Sequence, residues 1–191
     1  MGNLVGRLLV ATSLIADPNF RKAVVLLVEH GDDGALGLVL TRPATMPVEE
    51  AAPLLAGLVE PGAPLHLGGP LSPQSALVLV EATEAAEAGL TSTVIPGDGA
   101  CGPVGILPVD TTGETAAAGG GVVRARVYAG YAGWGPGQLE GELATSAWLV
   151  EPASAADVFT GEPADLWAST LRRKGGNFKV LALMPWDPAD N

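Results

Sequence analysis

Cysteine, aromatic rings and positive charge are all scarce in this chain. A single cysteine, Cys101, excludes an internal disulfide. No zinc-type spacing surrounds it, and no Lys, Arg or His lies near it in sequence. The expectation is an unreactive, at least partly buried thiol. Aromatic residues make up only 5% of 191 positions, so the core must rest on Val, Leu, Ile and Ala. Lys and Arg total 10 against 21 Asp and Glu, a formal charge of -11. Such a field repels phosphate backbones, which argues against direct nucleic-acid binding. The densest basic cluster, Arg172-Arg173-Lys174, reads as a solvated helix C-terminus favoured by the helix dipole. Arg124 and Arg126 alternate along a strand and are expected on its wet face.

Long apolar runs are missing as well. The longest uncharged stretch, 61–80, contains four prolines and reads as loop plus strands rather than a membrane span. Leu4 to Leu14 is short, is interrupted by Arg7 and lacks a basic segment before it, unlike a signal peptide. The expectation is a cytoplasmic protein with no membrane contact.

What is present is a globular composition: 48% of residues are apolar and only 16% charged. Gly6 to Ala11 reads as a short strand. Lys22 to Glu29 contains a continuous apolar run, as in a strand covered on both faces. Gly31-Asp32-Asp33-Gly34 is a turn, and Leu36 to Thr41 pairs back as a hairpin. A helix starts at Pro47-Val48-Glu49-Glu50 and is interrupted by Pro53. Leu65-His66-Leu67 and Ala76 to Glu81 read as strands, with a polar connection and a possible helix at Glu84 to Ala88 after them. Cys101 to Val109 is strand-like but broken by Pro103 and Pro108. Ala116 to Gly121 is a low-complexity loop. Val122 to Tyr131 is a strand, Pro136 to Ala144 a helix and Ala147 to Val150 a strand. Ser154 caps a helical turn. Pro163 to Lys174 is a helix ended by basic residues and Gly175-Gly176, and Asn177 to Leu183 reads as a final strand. With no repeat and no βαβ rhythm, the expected fold is a single α+β domain over 1–191.

The densest signal is Tyr128-Ala-Gly-Tyr-Ala-Gly-Trp-Gly-Pro-Gly-Gln-Leu-Glu-Gly-Glu-Leu143, a strand feeding a glycine-rich corner at Trp134 and then a helix. This run resembles the signature of the AlgH/YqgE family of bacterial proteins. Other segments agree in order: Gly6-Arg-Leu-Leu-Val-Ala11, Phe20, Glu29-His30, Gly34 to Pro43, Gly68-Gly69-Pro70, Trp148, Trp167 and the ending 185–191. Thr41 departs from the family pattern, which usually has Asn there. The resemblance implies an α+β domain with a branched, mixed or antiparallel β-sheet, partly curled into a small barrel and surrounded by short helices. It carries over no catalytic residues. Family members are often labelled transcriptional regulators, a label attached by genetic association.

The chemistry that the residues suggest centres on the corner. Gly135-Pro136-Gly137-Gln138 begins a helix whose bare N–H groups could hold an anion. The competing reading is capping, with the Gln138 side chain reaching back to the cap N–H. Capping is preferred, because Glu140 and Glu142 oppose an anion; the two acids point to different helix faces. The glycines beside Trp134 are expected to let the indole lie flat across a tight corner. Glu29-His30 ends a buried strand, and a strand-end histidine could act as a general base. No serine or cysteine nucleophile accompanies it, so a hydrogen-bonded role is favoured. His66 has the same shortcoming, and two histidines without ligand spacing do not make a metal site.

Gly68-Gly69-Pro70 is too short for a phosphate loop but could frame one cleft with the Trp134 corner. The candidate ligand or partner surface is therefore Glu29, His30, Gly68 and Gly69, together with Trp134, Gly135, Gly137, Gln138 and Glu142. No catalytic set, metal or cofactor is expected. The function expected is non-catalytic binding or regulation, with an unknown protein or small molecule as partner. The alternatives are a small-anion or nucleotide-binding enzyme that uses the Gly135–Gln138 helix start, and direct DNA binding, which the charge disfavours.

Overall fold

A computed structural model describes residues 2–108 and 121–183. Residues 116–120 of the low-complexity patch and the family-like ending at 185–191 lie outside the described residues, as does Val109. Ten strands form one sheet: β1 (Arg7–Ala11), β2 (Val24–Gly31), β3 (Gly34–Val39), β4 (Pro43–Pro47), β5 (Pro64–Leu67), β6 (Leu71–Ala82), β7 (Ser92–Ile95), β8 (Val104–Leu107), β9 (Val122–Trp134) and β10 (Trp148–Pro152). The hydrogen-bonded path runs β10-β1-β2-β3-β9-β6-β8-β7, and β5 joins β9 off that path, carrying β4. The sheet therefore branches at β9. All pairings are antiparallel except β5 with β9. No ladder among the described residues closes the sheet. It curls nevertheless: a side chain at Gly6, ahead of β1, would collide with the Val94 carbonyl of β7.

The apolar runs behave as strands covered on both faces. In β1, β2 and β3 the residues Leu8, Val10, Val24, Leu26 and Leu38 enter one buried cluster. Their neighbours Leu9, Val25, Leu27 and Val39 enter another on the opposite face. Successive strand residues point to opposite sides, so a run without polar interruptions is what a two-faced core requires. A third cluster joins Val78, Val80 and Val127 to Val48, Leu55 and Leu65.

Short helices cover these faces: α1 (Val48–Ala51), α2 (Gln138–Ala144), α3 (Ala155–Val158), α4 (Leu166–Lys174) and α5 (Phe178–Leu181). Pro53 does end α1, and a 3-10 segment over Pro53–Leu58 follows. In α4, Leu166, Trp167, Thr170 and Leu171 are buried, and the Trp167 indole donates to the Ala11 carbonyl at 2.9 Å. Ser154 caps α3 through a reciprocal box: its hydroxyl accepts from the Asp157 N–H, and the Asp157 carboxylate accepts from the Ser154 N–H. Ser154→Ala removes half of that box and is expected to cost about 1 kcal/mol. A urea or thermal melt checks this, and a midpoint equal to wild type would show that packing alone holds α3.

Three expectations are corrected. The segment 177–183 holds the helix α5, not a strand. Gly175 and Gly176 both take positive φ and turn the chain, and Phe178, Leu181 and Ala182 then face the core at helical spacing. The polar connection before residue 95 contains β7, whose Val94 is buried. Arg124 and Arg126 do not simply face water: one pairs with buried Glu81 and the other with two carbonyls. The basic cluster does end α4 in exposed positions, as expected, and there Arg173 pairs with Asp157 at 2.7 Å and Lys174 with Glu151.

Candidate functional site

The glycine–tryptophan corner is a packed junction. Trp134, the last residue of β9, stacks on Phe20 with ring centroids 6.3 Å apart and meets Trp148 edge-on at 6.0 Å. Both indoles are buried, and each donates its N–H to the same Glu142 oxygen, at 3.0 Å from Trp134 and 2.7 Å from Trp148. The other Glu142 oxygen accepts from the Gln138 amide at 3.0 Å. The Gln138 carbonyl in turn accepts from the Gly135 N–H at 3.1 Å, so the side chain does reach back over the helix start. Gly137 caps α2 with φ 74, a conformation that favours glycine. With seven residues, α2 is too short to build up a strong dipole at its start.

The glycine that gives the indole room comes from another strand. A side chain at Gly37 on β3 would strike Val25 at 2.5 Å and lie 3.3 Å from the Trp134 ring, whereas one at Gly135 would meet only the Gln138 side chain, at 3.9 Å, and one at Gly133 would strike Leu71. The expectation that the corner's own glycines serve the flat indole is thus corrected.

His30 lies between two elements. Its Nδ1 accepts from the Leu4 N–H at 3.3 Å, which leaves the proton on Nε2 to donate to Glu140 at 3.0 Å. The Glu140 carboxyl lies below the usual carboxylate range, chiefly through its own backbone N–H and further through His30. Glu29 sits exposed at a bulge in β2. Gly68 and Gly69 are pressed onto β9: added side chains would strike the Gly130 carbonyl and the Tyr131–Ala132 peptide, both at 2.2 Å. The Gly68-Gly69 turn therefore packs backbone against backbone on residues 130–132 of β9, the stretch that leads into Trp134.

A cavity of about 480 Å³ opens elsewhere on β9. Opposite β6, residues 132–134 of β9 pair with β3 and residues 128–129 pair with β5, which leaves the 123–127 edge without a strand among the described residues. The cavity lies along that edge, walled by 57–64, by His66 and by 159–163. The walls are about half apolar, with Leu58, Val59, Val123 and Phe159 among them, and Arg124, Arg126 and exposed Glu60 supply charge.

His66 is only 2% exposed, and its Nδ1 lies 3.1 Å from the Pro64 carbonyl. A carbonyl can only accept, so Nδ1 carries the proton and Nε2 presents a bare lone pair. Among the described residues no group bonds that Nε2, nor the hydroxyl of buried Tyr128, whose ring centroid is 5.4 Å from that of His66. Burial, then the positive charge of Arg126, pushes the His66 pKa down to about 4. Burial also pushes the Tyr128 hydroxyl up to about 12, and Arg126 beside it, outside hydrogen-bond geometry, acts in the opposite sense.

The chain matches the AlgH-like family model over residues 8–179. It belongs to the AlgH-like family. A UPF0301 protein of Streptomyces coelicolor is 40% identical, with 100% of this chain and 97% of the relative covered. A UPF0301 protein of Mycobacterium tuberculosis is 37% identical, covering 97% of this chain and 90% of the relative. Among solved structures, the AlgH protein of Pseudomonas aeruginosa is similar with TM-score 0.67 and 30% identity, covering 97% of this chain and 96% of that one. A Corynebacterium diphtheriae protein shares the fold, with TM-score 0.79 at 24% identity, covering 96% and 94% of the two chains.

The AlgH-like signature run contributes its tryptophan, glutamine and acids to the corner, where they bond to one another. The cavity lies at the other end of β9, in residues to which the signature gives no emphasis. Sequence reasoning passed over His66 for want of a nucleophile and placed Arg126 in water. One signal was available: His66 lies between two leucines in a short strand, and Arg126 sits between apolar neighbours on another. Both patterns fit side chains drawn under a covering loop.

Proposed function

We propose that this AlgH-like chain is a non-catalytic binding protein of the cytoplasm that acts through a small ligand, with any regulatory effect passed on through protein contacts. The observation that carries this reading is the contrast between its two polar clusters. At the Trp134 corner each polar side chain bonds its neighbour, as a structural joint requires. At the cavity wall, buried His66 Nε2 has no partner among the described residues, and buried polar atoms are rarely left so. A concave site in which apolar walls meet a few converging polar groups is the usual form of a small-molecule site.

Direct DNA binding has little support. The net charge is -11, and two of the three residues in the densest basic cluster are engaged by acids. No helix among the described residues is long and apolar enough to cross a membrane, and the lone cysteine suits a reducing compartment.

A thermal-shift screen of small metabolites, followed by mass spectrometry of each compound that binds, tests the reading. A ligand at about a hundred times its dissociation constant should stabilise the fold by about 2.7 kcal/mol. Stabilisation with the compound recovered unchanged supports a binding protein. Recovery of a chemically altered compound overturns it in favour of an enzyme, and silence across the screen removes the small-ligand reading.

A further inference from the structure

The chemistry of the cavity walls narrows the ligand class, an inference that rests on the small-ligand reading above. Arg124 is neutralised where it stands: its Nε and Nη2 both donate to one oxygen of buried Glu81, at 2.7 and 2.5 Å. Its guanidinium lies over the Phe159 ring, 4.8 Å from the centroid, so it acts as wall more than as free charge. Arg126 differs. It donates to the Val158 carbonyl at 2.6 Å and the Thr160 carbonyl at 2.8 Å, both neutral acceptors. Among the described residues no carboxylate pairs with it. A guanidinium has five N–H donors, so these two bonds leave others for a ligand while fixing the direction of the fork.

The count of charges sets the valence of the guest. Among the described residues one cation of the wall lacks an acid partner, and the one acid there, Glu60, is exposed, where solvent screens it. In a chain of charge -11, a monoanion fits this single cation better than a phosphate dianion does. The apolar half of the wall, with Leu58, Val59, Val123 and Phe159, offers contact to an apolar body. His66 adds a directional requirement: its buried lone pair accepts and cannot donate, so the complementary atom is a hydroxyl or N–H hydrogen.

We propose that this cavity binds a small organic monocarboxylate with an apolar body and one hydroxyl or N–H donor, Arg126 holding the carboxylate and His66 Nε2 accepting the donor's hydrogen. The site lies where the unpaired 123–127 edge of β9 meets the loops at 57–64 and 159–163, away from the signature corner.

The test is calorimetric titration of the full chain with four probes: 3-hydroxyoctanoate, octanoate, methyl 3-hydroxyoctanoate and octyl phosphate. In the wild type, 3-hydroxyoctanoate should bind about tenfold tighter than octanoate, the value of one well-placed hydrogen bond. It should bind tighter than its methyl ester and than octyl phosphate by at least a similar factor. His66→Phe should abolish the preference for the hydroxyl yet keep the preference for the acid over the ester. Arg126→Met should do the reverse.

Should Arg126→Met fail to fold, Gly161→Leu serves in its place. Its Cβ meets nothing within 4 Å and its side chain occupies the cavity wall, so binding should weaken by about tenfold in a protein that melts normally. The proposal is overturned if the hydroxyl and the charge make no difference in the wild type, if neither substitution shifts its own preference, or if no probe binds. Binding that ignores Arg126 and His66 sinks this assignment and leaves the binding-protein reading standing. Chemical change of 3-hydroxyoctanoate during the titration does the opposite.

Discussion

Glu142→Ala is expected to lower the melting temperature by about 8–16 °C, corresponding to about 4 kcal/mol at this chain length. The reason is that one carboxylate satisfies two buried donors. Trp134 and Trp148 are 6% and 3% exposed, and both indole N–H groups end on a single Glu142 oxygen. Without it, two buried donors lose their acceptor, and each such loss costs about 1–3 kcal/mol. The second oxygen also holds Gln138, which covers the Gly135 N–H, so the start of α2 loosens too.

Glu142→Gln separates shape from charge. A neutral amide oxygen has two lone pairs and can still receive both indoles, but its NH₂ then faces the Gln138 NH₂. The amide variant should therefore lose less than half as much stability as the alanine variant. Tryptophan emission gives an independent reading, since the freed indoles gain water and their emission moves to the red in the alanine variant. A Glu142→Ala protein that melts within about 2 °C of wild type, a shift worth under 1 kcal/mol at this length, would show that stacking alone holds the corner.

The same corner shows how far the amino-acid order discloses the structure. The strands β2 and β3 were legible because continuous apolar residues and a Gly-Asp-Asp-Gly turn leave few alternatives; the hairpin closes Gly31 against Gly34 as that pattern demands. The Gln138 cap was legible because its partner is three residues away. Contacts distant in sequence were not. That Glu142 receives Trp148 as well as Trp134 depends on α2 turning back onto β10, and the glycine that gives Trp134 room is Gly37, nearly a hundred residues earlier.

Local chemistry also misled where tertiary contacts overrode it. Residues 177–183 carry β-type apolar residues, yet the two left-handed glycines before them and the core on one side favour a helix. Ser92 and Thr93 read as polar connection, but β8 lay unpaired beside them, and an unpaired edge recruits whatever segment can extend along it. The cavity was invisible for a related reason. It is made of a missing strand, the stretch of β9 that neither β3 nor β5 reaches, and no window of sequence records a partner that stops short.

His66 makes the stability of the fold depend on acid in a defined window. Its pKa is about 4 in the folded protein against 6.5 as the ordinary value. Between those values the unfolded chain binds a proton that the folded chain refuses, so stability is greatest above pH 6.5 and falls as the pH is lowered. The loss levels off below pH 4, at about 3 kcal/mol, and about 2 kcal/mol has gone by pH 5. The groups facing the ring account for the direction. Arg126 on β9 repels an added proton, and the Tyr128 hydroxyl offers no negative charge. The Pro64 carbonyl favours the protonated ring but does not offset burial, while Arg124 is matched by Glu81 and Glu60 lies out at the rim.

Urea titrations from pH 7.5 to 5 should therefore give a steadily falling unfolding free energy in the wild type. His66→Phe, which cannot titrate and keeps a ring against Tyr128, should be nearly flat over the same range. The interval above pH 5 matters because the ordinary carboxylate range lies below it. A wild-type profile without slope in this window, or a slope that survives in His66→Phe, would mean that His66 accepts its proton in the folded state. In that case the Nε2 lone pair would not be the acceptor on which the proposed ligand recognition depends.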